Sequence, residues 1–204
     1  MHPFIASAAL LFVLLNPFLM SIYLIDLFED LDWPTFRSAL LRGAAIATAV
    51  FVAIAWIGEA VFRQVLQVHF ASFLIFGGAV FLMIGLRIVF NGSDSLRVMR
   101  AQTGPIADSV AFPSMIGPGT VWASVLAGEK LGPMPAVGAV VLSVSLSVGA
   151  VLVLKRVHDA ILGQHHMLVR RYFELTGRVM GLVIGSFAME MIAQGICLWW
   201  GELQ

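Results

Sequence analysis

Six stretches of this chain are too long and too apolar to lie against water. They cover residues 4–27, 38–62, 70–90, 109–126, 134–154 and 176–199, each close to the 20 or so residues that cross the hydrocarbon core of a bilayer. Inside a membrane every backbone N–H and C=O must find its partner within the protein, which leaves helices and closed barrels as spanning structures. The runs are continuous rather than alternating, so helices are expected and barrel strands are not. Six such spans use more than half of the 204 residues and leave no length for a soluble domain. Composition agrees: 60% of the residues are hydrophobic and 12% are charged, about half the charge of a soluble domain. A soluble enzyme, a disulfide-stapled secreted domain and a disordered tail are excluded on that ground. The first run continues well past Pro17, has no preceding Lys or Arg and lacks a small-residue cleavage site, so it is expected to be a retained span rather than a signal peptide.

Charge placement orients the spans. Arg37, Arg42, Arg87, Arg97, Arg100, Lys155, Arg156, Arg170, Arg171 and Arg178 fall in or beside the connections after the first, third and fifth runs. Only Arg63 and Lys130 fall on the other side. Basic residues collect in cytoplasmic connections, so both termini are expected outside. Lys plus Arg and Asp plus Glu balance at 12 each, which gives no basic excess for nucleic acid.

Two of the runs are interrupted by helix-breaking residues. The first holds Asn16-Pro17-Phe18; the fourth holds Pro113 and then Gly117-Pro118-Gly119-Thr120. Proline removes a backbone donor and clashes with the carbonyl one turn earlier, and glycine frees the chain. The backbone groups released this way are tolerated in lipid only where they are buried in protein or line a polar cavity. If the second three spans repeat the first three, they do so upside down, since three is odd. The first and fourth spans are then equivalent, and Phe76-Gly77-Gly78-Ala79 in the third answers Met180-Gly181-Leu182-Val183 in the sixth. Paired interruptions in inverted halves point to a transporter binding site. One helix fragment offers N–H groups and the positive end of a dipole, the other offers carbonyls, and an amino-acid zwitterion complements both. Asn16 adds a donor and an acceptor. Asn16, Pro17, Phe18, Pro113, Gly117, Pro118, Gly119 and Thr120 are therefore the expected substrate-binding residues.

Other polar residues have narrower readings. Glu190 is the only acid well inside a run, and a carboxylate there costs about 2.5–3.5 kcal/mol on insertion scales, which makes it the candidate for proton coupling. Glu59 closes the second run as an interfacial residue. His165-His166 point about 100° apart on a helix and sit in a basic connection without carboxylate or thiol companions, so no metal site is expected. His158 and Asp159 belong to the same basic connection. Cys197 is the one cysteine and reads as a small membrane-facing hydrophobe. Ala136, Ala139, Ser143, Ser147 and Ala150 form a small-residue stripe for helix packing, as do Gly181 and Gly185; Trp199, Trp200 and Trp33 read as interfacial anchors.

These motifs resemble those of the MarC family, also called the neutral amino-acid transporter family. The matching residues are Asn16-Pro17-Phe18, Gly58-Glu59, Gly77-Gly78, Ala111 and Pro113 with Gly117-Pro118-Gly119, and Thr176-Gly177-Arg178 with Gly181-Leu182. The resemblance runs the full length. It implies a bacterial inner-membrane, all-α protein of six transmembrane helices in two inverted three-helix repeats, with the first and fourth helices broken. It also implies proton-linked transport of small neutral amino acids such as glycine and alanine. Where the family's first motif continues with Gly, Asn and a second Pro, this chain has Leu19, Met20 and Ile22, and Arg87 stands where the family often has an acid. Leu19, Met20 and Ile22 make the first interruption more apolar.

The chain is accordingly expected to be a single membrane domain over 1–204, with half one at 1–92, half two at 106–204 and a basic cytoplasmic connection at 91–107. The expected function is ion-driven secondary transport, one half rocking against the other around the solute, with no cofactor and no enzyme activity. A non-transporting membrane partner of the same fold, or an exporter of other small solutes, is the alternative. The expected partners are a small neutral solute and the lipid bilayer; self-association is left open.

Overall fold

A computed structural model describes residues 2–58, 60, 62, 67–92, 115–161 and 166–202, with their side chains apart from Asp26, residues 161–174 and Glu202. The described residues form helices: α1 (Pro3–Leu15), α2 (Pro17–Tyr23), α3 (Ile25–Asp30), α4 (Trp33–Ile57), α5 (Phe70–Asn91), α6 (Pro118–Leu131), α7 (Pro133–Ile161) and α8 (His166–Glu202). Proline occupies the first turn of α1, α2, α4 and α6, where its missing N–H has no helical partner to lose. Gly132, at φ 77°, closes α6 and lets α7 start at once on Pro133.

Among the described residues five spans are long and apolar enough to cross a membrane: Pro3–Tyr23, Trp33–Ile57, Phe70–Asn91, Pro133–Ala160 and Leu175–Gly201. Six were expected. The difference lies in the fourth, whose described part is α6, at 14 residues too short to cross alone. Residues 109–114 of that run, Pro113 included, lie outside the described residues, as do Ala111, Glu59, Arg63, Arg97, Arg100 and His165.

The helices sort into two bodies. The larger is a core built from α1–α4, α6 and α7, closed by Leu11, Leu15, Leu40, Phe51, Ala123 and Val140 with their neighbours. Within it α1 packs on α7, where Ser143 Oγ lies 2.8 Å from both the Ala8 and the Ala139 carbonyls. Ala136, Ala139, Ser143 and Ser147 are fully buried, as a packing stripe requires. Likewise α4 packs on α6 so closely that a Cβ on Gly128 would collide with the Ala55 carbonyl. The smaller body is the pair α5–α8, packed together along much of their length. Small residues hold the two backbones together: a Cβ on Gly85 would stand 2.9 Å from the Gly181 carbonyl oxygen, and one on Gly195 2.9 Å from that of Ala71. The pair meets the core through two patches, Trp122, Val125, Phe70 and Met191 in one, Ile22, Tyr23, Ile88 and Ile184 in the other.

The end of α7 departs from expectation. His158 and Asp159 are in its last turns rather than in a connection, because Lys155 is satisfied there from another element. Its ammonium, 3% exposed, donates to the Phe28 carbonyl and to Asp159 Oδ1, both at 2.6 Å, and lies 5.9 Å from the centres of the Phe28 and Phe36 rings. His158 is buried with its ring edge-on to Phe28 at 5.5 Å. The neighbouring Arg156 guanidinium lies over the Trp33 ring at 4.1 Å.

Candidate functional site

Asn16 separates α1 from α2. Its backbone, at φ 43° and ψ 83°, is left-handed, a conformation that asparagine tolerates better than other residues with a side chain. The Asn16 N–H still donates to the Phe12 carbonyl at 3.1 Å, and its own carbonyl accepts from Met20 N–H at 2.9 Å. One residue thus ends a helix and starts the next. Pro17 brings no N–H to the Val13 carbonyl. The Leu19 N–H turns to Asn16 Oδ1 at 3.1 Å, so the Leu15 carbonyl also loses its ordinary helical donor. Ser21 closes the turn by donating to the Phe18 carbonyl at 2.7 Å. The remaining polar group of Asn16, its Nδ2, donates to the Met180 thioether at 3.1 Å. A thioether is a weak acceptor, and Asn16 is 93% buried, so this donor is held by a poor partner out of water.

The start of α6 is built in a complementary way. Gly117 caps it with an extended backbone, Pro118 takes the first position without an N–H, and the first helical bond runs from Val121 N–H to the Gly117 carbonyl at 3.0 Å. The Gly119 and Thr120 N–H groups precede that bond and have no partner within the helix. Thr120 Oγ1 accepts from Gly117 N–H at 3.0 Å, and its one proton is within 2.9 Å reach of the Met115 and Gly117 carbonyls. The hydroxyl holds the entry turn in place. The helix end carries partial positive charge toward whatever lies before it.

What lies before it is a cavity of about 230 Å³ at the seam between core and pair. The core contributes Val13, Leu14, Asn16, Leu19 and Tyr23 on one wall and Met115, Ile116, Gly117, Pro118 and Thr120 on the next. The pair contributes Val80, Phe81 and Ile84 from α5 and Val183, Ile184 and Phe187 from α8. None of these lining side chains is a carboxylate, ammonium, guanidinium or imidazole. The polar content is the Asn16 amide, two hydroxyl side chains and bare peptide at two helix ends. Among the described residues no group of three or more His, Cys, Asp and Glu side chains is placed to hold a metal ion.

Of the residues expected from sequence, Asn16, Gly117, Pro118 and Thr120 meet at this cavity. Pro17 is buried behind it, Phe18 is 39% exposed on the outside, and Gly119 faces the Phe81 ring at its edge. Glu190 stands apart: it is exposed on α8, and its Oε1 accepts from Gln194 Nε2 at 2.8 Å. The sequence marks Met180 and Val183 only as part of a glycine-containing element and assigns no site role to the pair's wall residues, to Tyr23 or to Met180. An apolar residue on a spanning helix gives no hydropathy signal that separates a lipid-facing position from a cavity-facing one.

The comparisons with known proteins point the same way along the whole length. Residues 1–200 match the model of the MarC family of integral membrane proteins. The chain is also similar to a UPF0056 membrane protein of Methanocaldococcus jannaschii, at 24% identity over 200 residues, which covers 95% of each chain. No solved structure matches. A multi-pass helical chain matched over nearly all its residues by that model belongs to the MarC family of integral membrane proteins.

Proposed function

We propose that this protein is a secondary transporter of small neutral solutes, glycine- or alanine-like amino acids first among them, driven by a proton gradient across the bacterial inner membrane. The observation that carries the reading is the cavity, where a buried Asn16 amide and the bare start of α6 face one space with no charged side chain among the described residues that line it. A zwitterion needs no counter-charge from side chains if its carboxylate meets the α6 N–H groups and its ammonium meets the carbonyls released around Asn16. A carboxylate or carbonyl is a far better acceptor than the Met180 sulfur that Asn16 Nδ2 now uses. Size agrees: about 230 Å³ is below the roughly 300–1,000 Å³ of pockets for drug-sized ligands, which favours a solute of a few heavy atoms.

The packing supports two inverted halves. Under a two-fold exchange of α1 with α6, α4 with α7 and α5 with α8, the α1–α7 contact becomes α6–α4, and the α1–α6, α4–α7 and α5–α8 contacts each return to themselves; these five are made, whereas α6–α7 and α5–α6 are not matched by comparable contacts at α1–α4 and α1–α8 among the described residues. The same contacts argue against rocking one half on the other, since that would pull apart every one of them. Motion of the α5–α8 pair against the core opens the seam that holds the cavity and keeps all five. Termini facing outward remain the orientation favoured by the basic residues.

Reconstituted protein in liposomes tests this with radiolabelled glycine and alanine, with and without an imposed pH gradient. Uptake above that of empty vesicles, enhanced by the gradient and lost in Asn16→Leu, is the expected result. Uptake equal to empty vesicles for every small neutral amino acid overturns the reading; so does a role confined to co-purification of a partner.

A further inference from the structure

Deepening the transporter reading, on which it rests, we propose that Phe81 sets the largest solute the cavity accepts. Phe81 reaches from α5 across the seam to the start of α6, and its ring fills the space that two side chains would otherwise take. A Cβ on Gly119 would stand 2.7 Å from the ring's Cε2, and one on Gly117 would stand 3.1 Å from Cζ. The first distance is closer than carbon atoms approach and the second is tight enough to push the ring, so these two glycines are the recess into which it fits.

The position of that recess decides what the ring does. Gly119 and Thr120 carry the N–H groups that open α6. A solute carboxylate on those donors brings its Cα and side chain up against whatever stands beside Gly119, and that is the Phe81 ring, with a Leu14 methyl behind it. The ring does not give way easily. It packs against both patches that join pair to core, the one around Trp122 and the one around Ile184, so swinging it out disturbs two contacts at once. With the ring in place the space admits a hydrogen, a methyl or a similarly short group next to the carboxylate end; a branched or aromatic side chain collides with it. The solute class is therefore a zwitterion with a short uncharged side chain, and the limit is steric.

Phe81→Ala and Phe81→Leu test the inference in liposomes given alanine, valine, leucine or phenylalanine singly. Wild-type protein is expected to take up alanine faster than leucine on the order of tenfold or more, the range that extra methylenes cost in a fitted apolar pocket. Phe81→Ala is expected to bring leucine within about twofold of alanine, with Phe81→Leu between the two. A variant that transports alanine with the wild-type size preference overturns the inference and leaves the transporter reading standing, as does a wild-type protein without size preference. If no protein transports any of the four, the transporter reading fails, and a second measurement decides the role of the ring. In a Cys197→Ser background, Ile116→Cys at the cavity wall is labelled in detergent by a small and a bulky maleimide. Loss of the Phe81 ring is expected to speed the bulky reagent relative to the small one on the order of tenfold. An unchanged ratio overturns the steric limit.

Discussion

Gly77 and Gly78 are adjacent on α5 and face different bodies of the molecule. A Cβ on Gly77 would collide with the Pro118 ring at the start of α6, whereas one on Gly78 would stand 2.8 Å from the Ala188 carbonyl oxygen of α8. That difference repeats along each contact. At the seam, glycines make room for side chains: Gly77 for Pro118, Gly117 and Gly119 for Phe81. Within the pair they make room for another backbone as well as for side chains: Gly78 for the Ala188 carbonyl and Ile192, Gly85 for Gly181, Gly195 for the Ala71 carbonyl and Ile75. Two bodies that meet through side chains can slide past one another as units, and two helix backbones locked carbonyl against glycine cannot. The α5–α8 contact is thus built to stay as it is, while the seam is built to be adjusted, and the cavity lies on the adjustable side.

The largest expected effect breaks the rigid contacts. Gly85→Val or Gly128→Val drives a side chain into a neighbouring carbonyl, where overpacking costs about 1–3 kcal/mol or more. Melting in detergent should fall sharply or folded protein should be lost, and Gly119→Ala, whose clash is with a ring edge, should fall less. Equal losses at the two kinds of glycine would erase the distinction between them.

Next is Lys155→Met, which keeps the bulk on α7 but leaves the Phe28 carbonyl without its donor. The expected loss is about 1–3 kcal/mol, read by the same melting curves. Asp159→Asn should cost less, because the amide keeps an oxygen that can accept from the Lys155 ammonium. This sharpens the contrast from within the core: Phe28 lies at the far end of the segment that begins at the left-handed Asn16, and Lys155 ties that end to α7.

At the seam, stability and function should separate. Asn16→Gly keeps the left-handed backbone and should melt within a few tenths of a kcal/mol of wild type, while Asn16→Leu loses the cap and should cost about 1–2 kcal/mol. Both should lose solute uptake, since neither retains the amide. The smallest effect is expected at Glu190→Gln. That carboxylate already faces away from the cavity and bonds Gln194, so gradient-driven uptake should stay within about twofold of wild type.

The parts of this architecture visible in the sequence are those written in backbone chemistry. Asn16-Pro17 and Gly117-Pro118 could be found because proline and glycine act on the chain itself wherever the helix packs. Phe81 could not, because a phenylalanine in a spanning helix looks the same whether it faces lipid, protein or a solute. Glu190 shows the converse. Its depth in the run was visible, but the direction in which α8 would turn it depended on the Gly85–Gly181 contact, which fixes the face shown to α5. The end of α7 was hidden for a third reason. A lysine in a basic stretch reads as solvated until a carbonyl from a distant segment, here Phe28, is brought to it.

The central claim is that a small neutral amino acid binds between Asn16 and the start of α6. Its most direct test is the melting temperature of wild-type protein and Asn16→Gly in detergent, titrated with glycine and alanine. A ligand bound only by the folded protein stabilises it by about 2.7 kcal/mol at a hundredfold excess over its dissociation constant. The account predicts a saturable upward shift in the wild type and none in Asn16→Gly. The same shift in both proteins, or a flat titration in the wild type, would contradict it.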